Sequence, residues 1–109
     1  MSQTSPETPV LDTIAAMTLD SLERCNLDAD ELLLVRIAAL AAVDARPVSY
    51  LTHVGPAVEA GVTVETVEDI LVGIAPIVGT ARVVSAAINI MEALGLVVAV
   101  AEEVASEGP

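Results

Sequence analysis

The sequence predicts an all-α protein of five helices. Apolar residues recur three and four positions apart along most of the chain, which is the pattern of helices with one buried face. The Val-rich stretches do not alternate with polar residues, and no hairpin dipeptide separates them, so nothing indicates strands. With 109 residues, 54% of them hydrophobic, the chain is long enough for one domain and too apolar for a disordered polyelectrolyte.

The first helix is predicted to begin at Pro9, a residue favoured at the first helical position, with Thr8 as its N-cap. Its apolar stripe is formed by Leu11, Ile14, Ala15, Thr18, Leu22 and Cys25. Cys25 is the only cysteine, so no internal disulfide can form, and its place on the stripe favours a small buried side chain over a reactive thiol.

The second helix is predicted to begin at Asp28, whose three-residue spacing to Glu31 is typical of a capping box. Residues 32–43 are apolar on every side except at Arg36. A helix without a polar face is normally surrounded by other helices, so this one is expected to be central and buried on all sides.

Proline, threonine and glycine delimit the third and fourth helices. The third is predicted to begin at Pro47 and to end at Gly61, since glycine readily adopts the conformation that follows a helix end. Thr63 is the expected N-cap of the fourth helix. Pro76 and Gly79 are expected to end or bend it.

The fifth helix is predicted from about residue 80 to 104. Arg82 and Glu92 divide this apolar part of the chain into uncharged runs that are shorter than the roughly 20 residues of a membrane span. The N-terminus is acidic and lacks the order of a signal peptide, so a soluble, cytoplasmic protein is expected. Residues 1–8 are predicted to be disordered, residues 9–104 to form a helical domain, and residues 105–109 to form a flexible tail.

Composition excludes several kinds of partner. The chain has sixteen acidic residues but only four arginines and no lysine, which gives a net charge of −12. Neither nucleic acid nor an anionic membrane surface is therefore expected to bind. Tyr50 is the only aromatic residue, which excludes base-stacking platforms and aromatic cages. A chain this small and apolar is expected to leave apolar surface outside its own core, and therefore to associate with itself.

One segment, residues 46–53, contains the side chains of a candidate site. On a helix, Ser49 and Tyr50 lie four and three residues before His53, so they share a face with the only histidine. Histidine titrates near neutral pH and can act as an acid or a base. The alternative, which composition alone favours, is a core or interface histidine bonded to a carbonyl. No spacing typical of metal ligands is present, and no cofactor is expected.

Three segments carry a resemblance to a known family. The first is the pattern His53-x-x-x-Ala57-x-x-x-Gly61-Val62-Thr63-x-Glu65 with the residues that follow it up to Leu71. The second is the run from Asp30 to Leu40, and the third is Gly79 with the Ala-rich stretch after it. Over about residues 28–95 the chain resembles the carboxymuconolactone decarboxylase family, which includes the alkyl hydroperoxidase D-like proteins. The resemblance implies a five-helix orthogonal bundle that assembles as a homotrimer or homohexamer.

The resemblance also bears on the chemistry. In the hydroperoxidase branch, a Glu, a Cys-x-x-Cys pair and a His form a thiol relay. In this sequence the Glu position is near Leu34, the two cysteine positions are Arg46 and Ser49, and the histidine position is His53. Only the histidine is retained, and a serine cannot pass through sulfenic acid and disulfide, so thiol peroxidase activity is the least favoured function. In the decarboxylase branch, the matching histidine is thought to be an acid–base group for a carboxylated lactone.

Two functions are therefore carried forward. The first is a cofactor-independent, lyase-like enzyme acting on a small carboxylated substrate, because arginine binds carboxylates well. Its candidate catalytic residues are His53, Ser49 and Tyr50, and its candidate substrate-binding residues are Arg46, Arg82 and Arg36. The second is a non-catalytic homo-oligomeric binding or scaffold protein of the same fold, in which His53 is structural. The alternative for Arg36 and Arg82 is an ion pair with Asp44, Asp69 or Glu92.

Overall fold

The computed structural model describes residues 8–106, and all regular secondary structure in this range is helical. The helices are α1 (Pro9–Arg24), α2 (Ala29–Ala42), α3 (Pro47–Glu59), α4 (Val64–Val78) and α5 (Thr80–Ser106). The all-α prediction and its five helices are confirmed. Residues 1–7 and 107–109, which belong to the two segments predicted as disordered and flexible, lie outside the described residues, whereas residues 105 and 106 belong to α5.

Local sequence signals explain how the helices begin. The Thr63 hydroxyl accepts a hydrogen bond from the backbone N–H of Thr66 at 3.1 Å, as expected for the N-cap of α4. The backbone N–H of Asp28 donates to the Glu31 carboxylate at 3.1 Å, which is the reciprocal bond of a capping box. Thr8 stands at the N-cap position of α1, but its side chain makes no capping bond.

The turn between α2 and α3 depends on Asp44, which adopts a left-handed conformation with φ of 56°. The N–H groups of Asp44 and Ala45 donate to the carbonyls of Ala41 and Leu40 at 3.2 and 3.0 Å, so the end of α2 is closed by a Schellman motif. The Asp44 carboxylate also accepts a hydrogen bond of 2.6 Å from Ser85 of α5. This bond joins the turn to α5.

Glycines end α3 and α4. Gly61 has φ of 87° and follows the C-cap of α3, as predicted. Gly79 has φ of 88° and separates α4 from α5. Pro76 does not end α4, since the helix continues through it to Val78.

The core is formed by α2, α3, α4 and α5, with α3 packed most extensively on α5. Tyr50 and Ile37 are its largest fully buried side chains. The cluster of buried residues consists of Ile37 and Ala41 from α2, Tyr50, Val54 and Ala57 from α3, Leu71 from α4, and Ala86, Ile90 and Ala93 from α5.

Helix α1 stands apart from this core. It contributes no buried residue, and none of its Cα atoms lies within 8 Å of a Cα atom in another helix. Its predicted apolar stripe is largely exposed, with Leu11 at 65%, Ile14 at 53% and Leu22 at 49% exposure. Cys25 is half-buried at the C-cap of α1, so it is neither a core residue nor a fully exposed thiol.

The expectation that α2 is buried on all sides is wrong for the single chain. Its buried residues are Leu32, Ile37 and Ala41, whereas Val35 is 52% exposed. One reason is that α1 lies too far from α2 to cover it, since no Cα atom of α1 is within 8 Å of a Cα atom of α2.

The chain is also less compact than a monomer of its size. Its accessible surface is 7661 Å², against about 5,700 Å² expected from its mass. Its radius of gyration is 15.5 Å, against about 13 Å expected from its length. Between residues 8 and 106, no helix has both the length and the hydropathy needed to cross a bilayer.

Candidate functional site

His53 lies on α3 at the edge of a pocket of about 340 Å³ that opens between α1, α2 and α3. The imidazole is half-buried, and it makes no hydrogen bond with any residue that the structure describes. We call this cavity the His53 pocket. It is lined by Met17, Thr18 and Ser21 of α1, by Arg36, Ala39, Leu40 and Val43 of α2, and by His53.

Arg36 is the one cation that the structure places in this pocket. Its Nη2 donates to the Ser21 hydroxyl at 3.2 Å and to the Thr18 carbonyl at 3.4 Å, both long contacts to α1. The N–H groups on Nε and Nη1 have no hydrogen-bond partner within residues 8–106. Each of these free N–H groups can donate a charge-assisted hydrogen bond to an anion, so Arg36 is able to hold a carboxylate beside His53.

Burial lowers the pKa of His53 below its ordinary value, and the nearby positive charge of Arg36 lowers the pKa further. The imidazole is therefore neutral at pH 7 and can accept a proton. An anion bound beside it would favour the protonated form, because an opposite charge raises the pKa of histidine. The pocket can thus bind a carboxylate and transfer a proton at the same place.

Tyr50 and Ser49 do not join His53 in this pocket. Tyr50 is fully buried in the core, and its hydroxyl has no hydrogen-bond partner among residues 8–106. Burial raises the pKa of Tyr50, and the negative charge of Asp44 raises the pKa further. Ser49 is exposed, and it is not among the residues that line the pocket. Of the three predicted catalytic residues, only His53 lines the cavity.

The other two predicted substrate-binding arginines also lie outside the pocket. Arg46 is exposed at the N-cap of α3. Arg82 donates from Nη1 to the carbonyl of Ala42 at 2.6 Å, where it binds one of the carbonyls at the end of α2 that lack a helical partner.

The alternative of ion pairs for Arg36 and Arg82 with Asp44, Asp69 or Glu92 is wrong. Both guanidinium groups bond to backbone carbonyls instead, and Arg36 also bonds to Ser21. In the part of the chain that the structure describes, the one ion pair joins Arg24 and Asp20 on the surface of α1. The carbonyl that Arg82 binds lies at the end of α2, whereas the carbonyl that Arg36 binds lies within α1.

Sequence reasoning missed the wall that α1 contributes to the pocket. Thr18 had been assigned to the apolar stripe, and Met17 and Ser21 had no assigned role. The resemblance seen from the sequence began only near residue 28, so it gave no reason to place α1 at the site. The uncharged face that these residues form on the helix is the only signal that could have indicated it.

A larger groove lies between α4 and α5. It has a volume of about 470 Å³. We call it the α4–α5 groove; it is lined by Val64, Val67 and Leu71 of α4 and Ile90, Met91 and Leu94 of α5, with Glu68 as the one ionisable group. Because it lacks any acid–base pair, it offers an apolar surface rather than a reactive site.

Metal binding finds no support in the geometry. Among the described residues, no group of three or more His, Cys, Asp or Glu side chains is arranged to hold a metal ion.

Comparison with known proteins is consistent with this fold. The family model described as the carboxymuconolactone decarboxylase family matches residues 8–93, a range that includes α1 as well as the segments that carry the resemblance. No curated protein and no solved structure is similar enough to this chain to count as a match. The family match covers most of the sequence, and the chain therefore belongs to the carboxymuconolactone decarboxylase family.

Proposed function

We propose that this protein is a cofactor-independent acid–base enzyme that acts on a small carboxylated substrate. His53 transfers the proton, and Arg36 binds a carboxylate of the substrate. The observation that carries the proposal is the pairing of a histidine without a hydrogen-bond partner and an arginine with unpaired N–H groups in one pocket. A volume of about 340 Å³ lies within the usual range for small-molecule sites.

The proposed reaction is the decarboxylation of a lactone, as the family name indicates. The bond between the carboxylate carbon and the lactone breaks, CO₂ leaves, and the electron pair passes into the conjugated carbonyl system of the lactone. The product then takes up one proton at carbon. His53 supplies this proton after the anionic substrate has raised its pKa, while Arg36 holds a second carboxylate of the substrate.

We also propose that the protein works as a homo-oligomer, a trimer or a hexamer. The support is the surface of the single chain, which exceeds that of a compact monomer of this mass by about 2,000 Å². Exposed apolar side chains on α1 and on the outer side of α2 contribute to that excess. Burial of this surface between copies is the ordinary way to stabilise such a chain.

A non-catalytic binding protein is the second candidate, and one observation favours it. Catalytic histidines are commonly oriented by a hydrogen bond from a neighbouring group, and no described residue provides one for His53. Such a protein would bind the same carboxylates through Arg36 without turning them over. Peroxide reduction has no support, since Cys25 does not line the His53 pocket and has no second cysteine to form a disulfide.

The test is the turnover of carboxymuconolactone, followed by the release of CO₂. We expect His53→Gln to lower kcat by about 100-fold or more, since general acid–base catalysis contributes about that much. Arg36→Gln should raise KM, whereas Arg82→Gln, the matched control, should leave both constants unchanged. If His53→Gln turns over the lactone as fast as the natural protein, the enzymatic proposal is wrong. Carboxylate binding that depends on Arg36, without turnover, would establish the second candidate.

A further inference from the structure

We propose that α1 of one copy of this chain packs into the α4–α5 groove of a second copy. The inference rests on the self-association proposed above and specifies the two surfaces that form the contact. The inference starts from two uncovered apolar surfaces among the described residues of the single chain. The helix α1 is apolar and has no other helix packed closely on it, and the α4–α5 groove is apolar and has no helix lying in it.

The side of α1 that we assign to the contact is next to the side that lines the His53 pocket, and Thr18 lies at their border. Leu11, Leu19 and Leu22 are 65%, 59% and 49% exposed. Together with Ala15 they follow the i, i+4, i+8, i+11 spacing of a helical ridge. With 3.6 residues per turn, this ridge lies about a third of a turn around the helix from Met17 and Ser21 of the pocket, and Thr18 lies between the two surfaces. The helix can therefore line the pocket of its own chain and pack against a second chain.

The α4–α5 groove has the form that receives such a ridge. Val64, Val67 and Leu71 line it from α4 at i, i+3 and i+7, and α5 lines it over a segment of the same length. Two helical segments of eight residues make a groove about 10 Å long, enough for the side chains of two helical turns. The helix α1 of the same chain does not supply them, because no Cα atom of α1 lies within 8 Å of one in α4 or α5.

The single chain has surface to spare for such a contact. Its total accessible surface exceeds that of a compact monomer by about 2,000 Å², whereas a standard specific interface buries roughly 800 Å² on each partner. Every copy has one α1 and one groove. Every α1 therefore has a groove to bind, and every groove is filled, only in a closed assembly, either a ring or a reciprocal pair.

The contact would also complete the His53 pocket. Within one chain, α1 is held beside the pocket by the two long hydrogen bonds from Arg36. Packing of the neighbouring side of α1 against a second copy would fix Met17, Thr18 and Ser21 in place as a wall of the pocket. The geometry of the site then depends on assembly.

Charge substitutions on the two surfaces test the contact by sedimentation velocity over a range of concentrations. We expect Leu22→Glu and Met91→Glu each to raise the dissociation constant of the assembly about tenfold or more, because each replaces a buried apolar side chain by a charge. The matched controls are Ala16→Glu on the other side of α1 and Ile77→Glu on α4, which is 87% exposed and outside the groove. They should change the constant by less than about threefold.

Cross-linking tests the pairing directly. In a Cys25→Ser background, Leu22→Cys chains are mixed with Met91→Cys chains and treated with a bismaleimide. A product of twice the chain mass should form only in the mixture, and it should not form when Ile77→Cys replaces Met91→Cys. Efficient cross-linking of Leu22→Cys chains alone would show that α1 packs on α1 instead, and would overturn the proposal.

The outcomes separate this inference from the one on which it depends. A natural protein that sediments as a monomer at every concentration would overturn both self-association and the α1 contact. An assembly that Leu22→Glu and Met91→Glu leave unchanged would overturn the α1 contact alone. Far-UV circular dichroism of each variant verifies that the helices are retained.

Discussion

Tyr50→Phe should stabilise the protein, and this result would separate the core from the site. Tyr50 is the only aromatic residue and is fully buried, and no residue that the structure describes forms a hydrogen bond with its hydroxyl. Phenylalanine keeps the ring and its contacts with the core and removes only the oxygen. The substitution therefore removes the desolvation penalty of the hydroxyl and loses no bond.

A buried hydroxyl without a partner costs about 1–3 kcal/mol. We expect Tyr50→Phe to raise the free energy of unfolding by about 1–2 kcal/mol. In a domain of this size, each kcal/mol raises Tm by about 4–8 °C. Tyr50→Ala, in contrast, removes the ring and should lower the free energy of unfolding by about 3–5 kcal/mol.

The assay is urea denaturation followed by circular dichroism at 222 nm, since Tyr50 is the only source of aromatic fluorescence. All variants are compared at one protein concentration, because the stability of any protein that self-associates, as we propose for this one, depends on concentration. A decrease of 1 kcal/mol or more for Tyr50→Phe would show that the hydroxyl has a partner and would refute the reasoning. Turnover of the lactone should be unaffected, because Tyr50 does not line the His53 pocket.

Three further predictions concern the charges and the helix ends. Arg36→Gln should raise the pKa of His53, measured from its proton NMR signal, because it removes a positive charge beside the imidazole, whereas Arg82→Gln should not. The pKa of His53 is lower in the folded than in the unfolded protein, so the unfolded chain binds its proton more readily. The free energy of unfolding should therefore fall as the pH decreases from the ordinary histidine pKa of about 6.5 towards the folded value, and His53→Gln should lack this decrease. Thr63→Ala should lower the free energy of unfolding by about 1 kcal/mol through loss of the N-cap bond of α4, with urea denaturation as the measurement.

The ends of the helices could be predicted because they depend on neighbouring residues. Thr63 and Gly61 act within one turn of the helices that they delimit, so single-residue preferences suffice. The left-handed turn at Asp44 is less visible, since most helices that end this way use glycine. Its bond to Ser85 joins residues far apart in sequence, which no local pattern shows.

Burial could not be predicted in the same way, because an apolar helix face does not reveal what covers it. The sequence of α2 indicates a central helix, yet one side of it remains uncovered in the single chain. The stripe of α1 likewise predicted an apolar face, but not the distance at which α1 lies from the core. In both helices the local pattern shows that a face is apolar but not which surface covers it, and the contact with a second copy that we propose would supply that surface.

The residues of the candidate site could also be predicted only in part. His53 was predicted from its chemistry, and Arg36 from its charge within an apolar helix. Tyr50 was grouped with His53 because three residues separate them on α3. However, Tyr50, Val54 and Ala57 form the buried ridge of that helix, and His53 lies beside this ridge at the rim of the pocket.

The most direct test of the account uses the only histidine of the chain as its own probe. The single imidazole gives one Cε1 proton signal, which can be followed over pH with and without succinate, a small dicarboxylate. The account predicts a saturable shift of this signal and a higher pKa of His53 with succinate, both retained in Arg82→Gln and both lost in Arg36→Gln. A signal that does not respond to succinate, or that responds equally in Arg36→Gln, would contradict the claim that His53 and Arg36 form one anion-binding, proton-transferring site.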